Sequence, residues 1–150
     1  MTDLTAFDAD IRLHVYTRLL EDGRAPTVAG TADAFGRSTE EVEAAYRRLA
    51  EGRAIVLHPG TVDVWMAPPL SAVRTPFLIE AQGRERFGNC VWDGLGVLAM
   101  VRADGVVRTS CADCDEPLDL VVRDGRLEPS DSVIHFAVPA ARWWEDIGFA

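Results

Sequence analysis

The sequence predicts an α+β protein: an N-terminal winged-helix-like three-helix domain followed by a mainly antiparallel sheet core with helices. Three observations carry that expectation. Helical spacing of apolar residues dominates the first third of the chain, two strand-like runs then flank Pro59-Gly60, and beyond Pro68-Pro69 the pattern shifts to short segments separated by glycine turns. Phe7, Ile11, Leu13, Val15, Leu19 and Leu20 give residues 5–21 a helical pattern that Glu21-Asp22-Gly23 breaks. Residues 27–35 read as a second, short helix ended by Gly36. Ser38-Thr39-Glu40-Glu41 supplies a capping signal for a third helix reaching Glu51. Residues 54–58 and 61–66 read as a hairpin, the wing. Residues 67–71 read as a linker by their prolines, which places a boundary near residue 70 and divides the chain into 1–70 and 71–150. In the second part the expected elements are a strand over 77–81, a helix from Cys90 to Val101, strands over 106–109, 118–122 and 133–138, and a short closing helix. Ala103-Asp104-Gly105 and Arg123-Asp124-Gly125 serve as hairpin-like loops.

A chain of 150 residues with a hydrophobic fraction of 48% buries a proper core. No apolar run reaches the roughly 20 residues of a membrane span, and Asp3, Asp8 and Asp10 do not suit a signal peptide, so the expected location is the cytoplasm. Three cysteines in that reducing compartment are thiols, metal ligands or small buried apolar groups rather than a disulfide framework. A net charge of -9 opposes nucleic acid and anionic membrane surfaces and favours a small molecule or a cation as partner. All 15 basic residues are arginine, which excludes Schiff-base chemistry and a phosphate-loop lysine.

The winged-helix pattern raises the reading of a transcription regulator, whose third helix would enter the major groove. Charge opposes it: residues 1–70 hold seven arginines against eleven acids, a net of -4. An acidic surface forfeits the phosphate contacts that supply much of DNA affinity.

Chemistry concentrates at Cys90-Val91-Trp92-Asp93 and Cys111-Ala112-Asp113-Cys114. Positions i and i+3 are neighbours on a helix, so Cys90 and Asp93 place a soft nucleophile beside a proton donor. With Asn89 as N-cap, Cys90 falls in the first turn, where free N–H groups and the helix dipole favour the thiolate and leave it partly ionised near neutral pH. Cys111 and Cys114 have a chelating spacing, and with Cys90 as a third sulfur they compose a candidate metal set for Hg, Cu or Zn; full tetrahedral zinc would need His135 or a carboxylate as well. The bland alternatives stand beside these. Cys90 and Cys111 also suit small buried apolar positions, Asp93 suits a cap or an arginine partner, and Trp92, Trp143 and Trp144 suit core or interface packing.

From Cys90 onward the chain resembles the core domain of the alkylmercury lyase family. The resemblance rests on Cys90-Val91-Trp92-Asp93, on Ser110-Cys111 through Glu116-Pro117-Leu118, on Val133-Ile134-His135-Phe136-Ala137-Val138-Pro139, and on Trp143 in the segment after it. The winged-helix-like part that precedes these stretches also fits the family. The resemblance implies a lyase in which Cys90 attacks mercury as a thiolate and Asp93 relays a proton to the departing carbon, with no required cofactor; Cys111 falls on a cysteine regarded as structural. It also exposes a departure. The family's second catalytic cysteine belongs just before residue 133, where this chain has Ser130-Asp131-Ser132 and no sulfur for two-thiol cleavage. The readings left open are a lyase acting on a carbon-mercury bond or another small electrophile, a noncatalytic soft-metal thiol protein, and, third, a regulator.

Overall fold

Thr5 and Ser38 start their helices by the same device. In the computed structural model, which describes residues 4–148, each side chain accepts the backbone N–H three residues on, and Asp8 and Glu41 reach back to the cap's own N–H. The first box opens α1 (Ala6–Asp22) and the second opens α3 (Thr39–Glu51). Between them α2 (Val28–Phe35) is capped by Thr27 and ended by Gly36 in the left-handed region. Ile11, Val15, Leu19, Val42, Tyr46 and Leu49 bury their side chains where the three helices meet. Asp8 is fully buried and accepts both Nε and Nη2 of Arg48 on α3, at 2.7–3.2 Å, so one residue caps α1 and pins α3. That guanidinium holds the Asp8 carboxyl below its ordinary value.

Eight antiparallel strands follow: β1 (Val56–Leu57), β2 (Val64–Ala67), β3 (Leu70–Ser71), β4 (Leu78–Ala81), β5 (Arg84–Gly88), β6 (Gly105–Ser110), β7 (Pro117–Arg123) and β8 (Arg126–Leu127). They form one sheet in the order β1-β2-β3-β5-β4-β6-β7-β8. Residues 67–71, expected as a linker, lie inside this sheet: β2 ends at Ala67, the Pro68-Pro69 pair turns the chain, and Leu70 returns opposite Ala67. Tyr16 of α1 donates its hydroxyl to the Pro68 carbonyl at 2.8 Å. Buried Arg86 on β5 donates to Leu20 O at 2.8 Å and Ala81 O at 3.2 Å. The helices are thus fastened to the sheet by hydrogen bonds as well as by apolar packing.

Gln82 and Gly83, both at positive φ, form the two-residue turn that folds the charged strand β5 back on β4. One further helix, α4 (Val91–Val101), lies against β3, β4, β5 and β6. Its close approach depends on missing side chains. A Cβ at Gly88 would meet the Gly94 backbone nitrogen at 2.9 Å, and a Cβ at Gly94 would meet Val107 Cγ1 at 2.7 Å.

The strand expected over residues 133–138 does not form. The outer edge of β7 is taken by β8 and by the Glu128 N–H bonded to Val121 O, and Val133 is 88% exposed. Phe136 packs instead against Trp92 and Trp143, with ring centroids 6.4 and 5.3 Å away. A short 3₁₀ helix, Ala140–Glu145, provides the expected closing helix, while Phe149 lies outside the described residues.

Candidate active site

Both cysteine segments emerge at one end of the sheet. β5 and β6 each pair antiparallel with β4 and so run in the same direction, with Phe87 and Arg108 on either side of Leu78. Cys90 and Cys111 each follow three residues after those partners.

Cys90 is itself the N-cap of α4, in extended conformation, and its Sγ accepts the Asp93 N–H at 3.4 Å. The expected cap, Asn89, lies one residue earlier and binds the carboxyl instead: its Nδ2 donates to Asp93 Oδ2 at 3.0 Å and approaches Leu70 O at 3.5 Å. Its Oδ1 is buried without a hydrogen-bond partner among the described residues. Asn89 is therefore a site residue that the sequence showed but assigned to the wrong task.

The electrostatics reverse the expectation for Cys90. Burial pushes its thiol above the ordinary cysteine value, and the neighbouring Asp93 charge adds to the rise; the N–H groups of Asp93 and Trp92 oppose it without prevailing. Desolvation outweighs the helix terminus, so the resting group is a thiol. Burial likewise raises the Asp93 carboxyl, against the lowering effect of its bonds to Asn89. The pair is a half-buried thiol beside a carboxyl with enhanced hold on its proton. Trp92, 58% exposed, and Phe136, 41% exposed, set an aromatic surface next to it.

Cys111 and Cys114 occupy the loop between β6 and β7. Cys111 N–H donates to Glu116 O and Asp115 N–H donates to Cys111 O, both at 2.9 Å, which fixes the loop. The N–H groups of Asp113 and Cys114, and after them the Cys114 side chain, hold the Cys111 pKa below its ordinary value. The depressed thiol is thus Cys111 and not Cys90. Among the described residues no group of three His, Cys, Asp or Glu side chains is gathered closely enough to hold a metal ion. The three-sulfur set of Cys90, Cys111 and Cys114 is accordingly not assembled: spacing put two of its members on one turn, but the third belongs to another element. His135 and Ser130, Asp131 and Ser132 are exposed. Two surface depressions lie at the far end of the sheet, away from Cys90, one around Gln82, Gly83 and Asp104 and the other around Asp104, Gly105 and Arg123.

Fold and site together define a class, an α+β protein whose sheet seats a helix headed by a thiol with a carboxyl one turn in. The alkylmercury lyase (MerB) family matches residues 70–149, and the chain belongs to that family. A solved structure described as the mercury-bound form of MerB2 is similar over 86% of this chain, with a TM-score of 0.68 and 26% sequence identity. This chain spans 62% of the length of that one. No functionally curated protein matches the chain. No helix among the described residues is long and apolar enough to cross a membrane.

Proposed function

We propose that the chain cleaves carbon-mercury bonds, with Cys90 as the attacking sulfur and Asp93 as the proton carrier. The observation that carries this reading is the contact of Cys90 Sγ with the Asp93 N–H at 3.4 Å, in a half-buried turn whose carboxyl has a raised pKa. Mercury is soft and replaces the proton of Cys90, giving a sulfur-mercury-carbon species; the displaced proton passes to the Asp93 carboxylate and the anion of the organomercury salt leaves to solvent. Asp93 then protonates the carbon as the carbon-mercury bond breaks; the bonding pair becomes the new C–H bond, and mercury remains on Cys90 as a cation facing the Asp93 carboxylate. Residues 1–70 serve on this reading as a winged-helix-like unit supporting the core of residues 71–150. The exposed Ser130, Asp131 and Ser132 supply no second thiolate, so turnover is slow.

Hydrocarbon release from a phenylmercury salt tests the proposal. Asp93→Asn is expected to bind the salt and release no benzene, Cys90→Ser to do neither, and Asp131→Cys or Ser132→Cys to release it faster than the parent. Full turnover by Asp93→Asn would remove Asp93 from the mechanism. An inactive parent and inactive restored variants would favour the second reading, a noncatalytic soft-metal protein, which the depressed pKa of Cys111 supports independently.

A further inference from the structure

The loop between β6 and β7 uses no part of the Cys90 and Asp93 chemistry, yet it carries two cysteines three residues apart on an ordered turn. We propose that Cys111 and Cys114 form a separate two-thiolate site for a soft, two-coordinate cation such as Hg²⁺. Three observations carry this.

The two cysteines are carried by one closed turn. Residues 112–114 form a turn closed by Asp115 N–H on Cys111 O and by Cys111 N–H on Glu116 O, both 2.9 Å, which sets Cys111 and Cys114 at its two ends. Two donors held on one loop act as a chelate, since the second sulfur binds at an effective concentration set by the turn rather than by free thiol. The pair is also accessible: Cys114 is exposed and Cys111 partly so, whereas Cys90 is half-buried. Finally, the loop is acidic. Asp113, Asp115 and Glu116 are all exposed beside the pair and favour an incoming cation over an anion.

The coordination number selects the ion. Structural zinc wants four ligands, and no third His, Cys, Asp or Glu joins the pair among the described residues. Mercury(II) is satisfied by two sulfurs in line. Binding is balanced without oxidant or reductant: each thiol loses its proton to solvent, two sulfur-mercury bonds form, and mercury remains divalent.

The test uses the full, reduced chain carrying Cys90→Ser, with mercuric chloride as probe and excess 2-mercaptoethanol as competitor. One mercury per chain is expected to survive desalting, with two sulfurs on the metal by X-ray absorption. Adding Cys114→Ser to that background is expected to lower retention by at least about tenfold, because a single thiol has no chelate advantage over the competitor. Cys114 is exposed, so its replacement by serine leaves the core intact, and an unchanged melting curve verifies this; Cys111→Ser provides the reciprocal variant. Equal retention with and without Cys114, or zinc held as firmly as mercury, would overturn the proposal. Because Cys90 is absent throughout, the outcome is independent of whether the chain is a lyase.

Discussion

Gly94→Ala is expected to destabilise the fold although the same change normally strengthens a helix. Inside a helix the substitution gains about 1 kcal/mol from propensity. Here the new methyl would stand 2.7 Å from Val107 Cγ1 and 3.0 Å from Cγ2. Val107 is fully buried on β6 between Ile79 and Leu120, and a β-branched side chain has little rotamer freedom with which to yield. Overpacking of this kind costs about 1–3 kcal/mol, and the clash lies far enough inside ordinary contact to place it at the upper end. The net loss is then about 1–2 kcal/mol, or roughly 2–8 °C in Tm for a chain of this size. Gly96→Ala is the internal control. Its methyl would meet Pro69 at 3.6 Å, an ordinary contact, so that variant is expected to gain up to about 1 kcal/mol. Urea denaturation of the parent, both single variants and Gly94→Ala with Val107→Ala measures the difference. The double variant should recover part of the Gly94→Ala loss, since the new methyl enters space the valine vacates. If Gly94→Ala stabilises in step with Gly96→Ala, the seating of α4 on β6 is not as described.

Three further outcomes follow from the charges. Asp8→Asn should cost about 2–3 kcal/mol at neutral pH, below the usual 3–5 for a broken buried pair because Arg48 is partly exposed. The Asp8 pKa is lowered, so its stabilisation is present above the ordinary carboxylate value and lost as pH falls through the folded value; the gap between parent and variant should close in acid denaturation curves, and a constant gap would refute the assignment. Asp93 has the opposite sign: its raised pKa contributes stability at low pH that is lost as pH rises through the folded value, so Asp93→Asn should stabilise at neutral pH and speed iodoacetamide labelling of Cys90 by removing the adjacent charge. At neutral pH, labelling followed by mass spectrometry should modify Cys111 before Cys90, and the reverse order would show that the helix terminus outweighs burial.

The legible parts of this fold are those written in local chemistry. The apolar spacing from Phe7 to Leu20 announces α1, Ser38 with Glu41 announces α3, and Pro59-Gly60 announces the first hairpin. The illegible parts depend on partners distant in sequence. Nothing local to residues 133–138 says that β8 has already taken the edge of β7, and nothing local to Arg84 and Arg86 says that β4 and the end of α1 will receive them. Pro68-Pro69 resembles a linker because prolines usually leave sheets, yet here the pair is the turn between two strands. At the site, spacing identified Cys90 with Asp93 and Cys111 with Cys114, both local pairs. It could not report that the pairs remain apart, nor that burial would reverse the expected ionisation of Cys90.

That reversal bears on how the proposed cleavage would run. A thiolate beside a protonated carboxyl is not the resting pair, because burial holds the Cys90 thiol above its ordinary value while Asp93, as a carboxyl, gives up its proton first as pH rises. The difficulty disappears if one proton serves both groups. Mercury displaces the Cys90 proton on binding, Asp93 one turn away accepts it, and the same proton is then delivered to carbon. Asn89 is placed for both states: its Nδ2 now donates to Asp93 Oδ2 at 3.0 Å, and its unpartnered Oδ1 can accept from the protonated carboxyl once the amide rotates. Burial that raises both pKa values makes the thiol retain a proton to give and the carboxyl able to carry it. The cleavage rate should therefore hold a plateau between the two raised pKa values, fall in more acidic solution as Asp93 arrives already protonated and unable to take the thiol proton, and fall in alkali as Cys90 arrives without one. A rate that instead climbed steadily into alkali would show that thiolate supply alone limits the reaction and that Asp93 draws its proton from solvent.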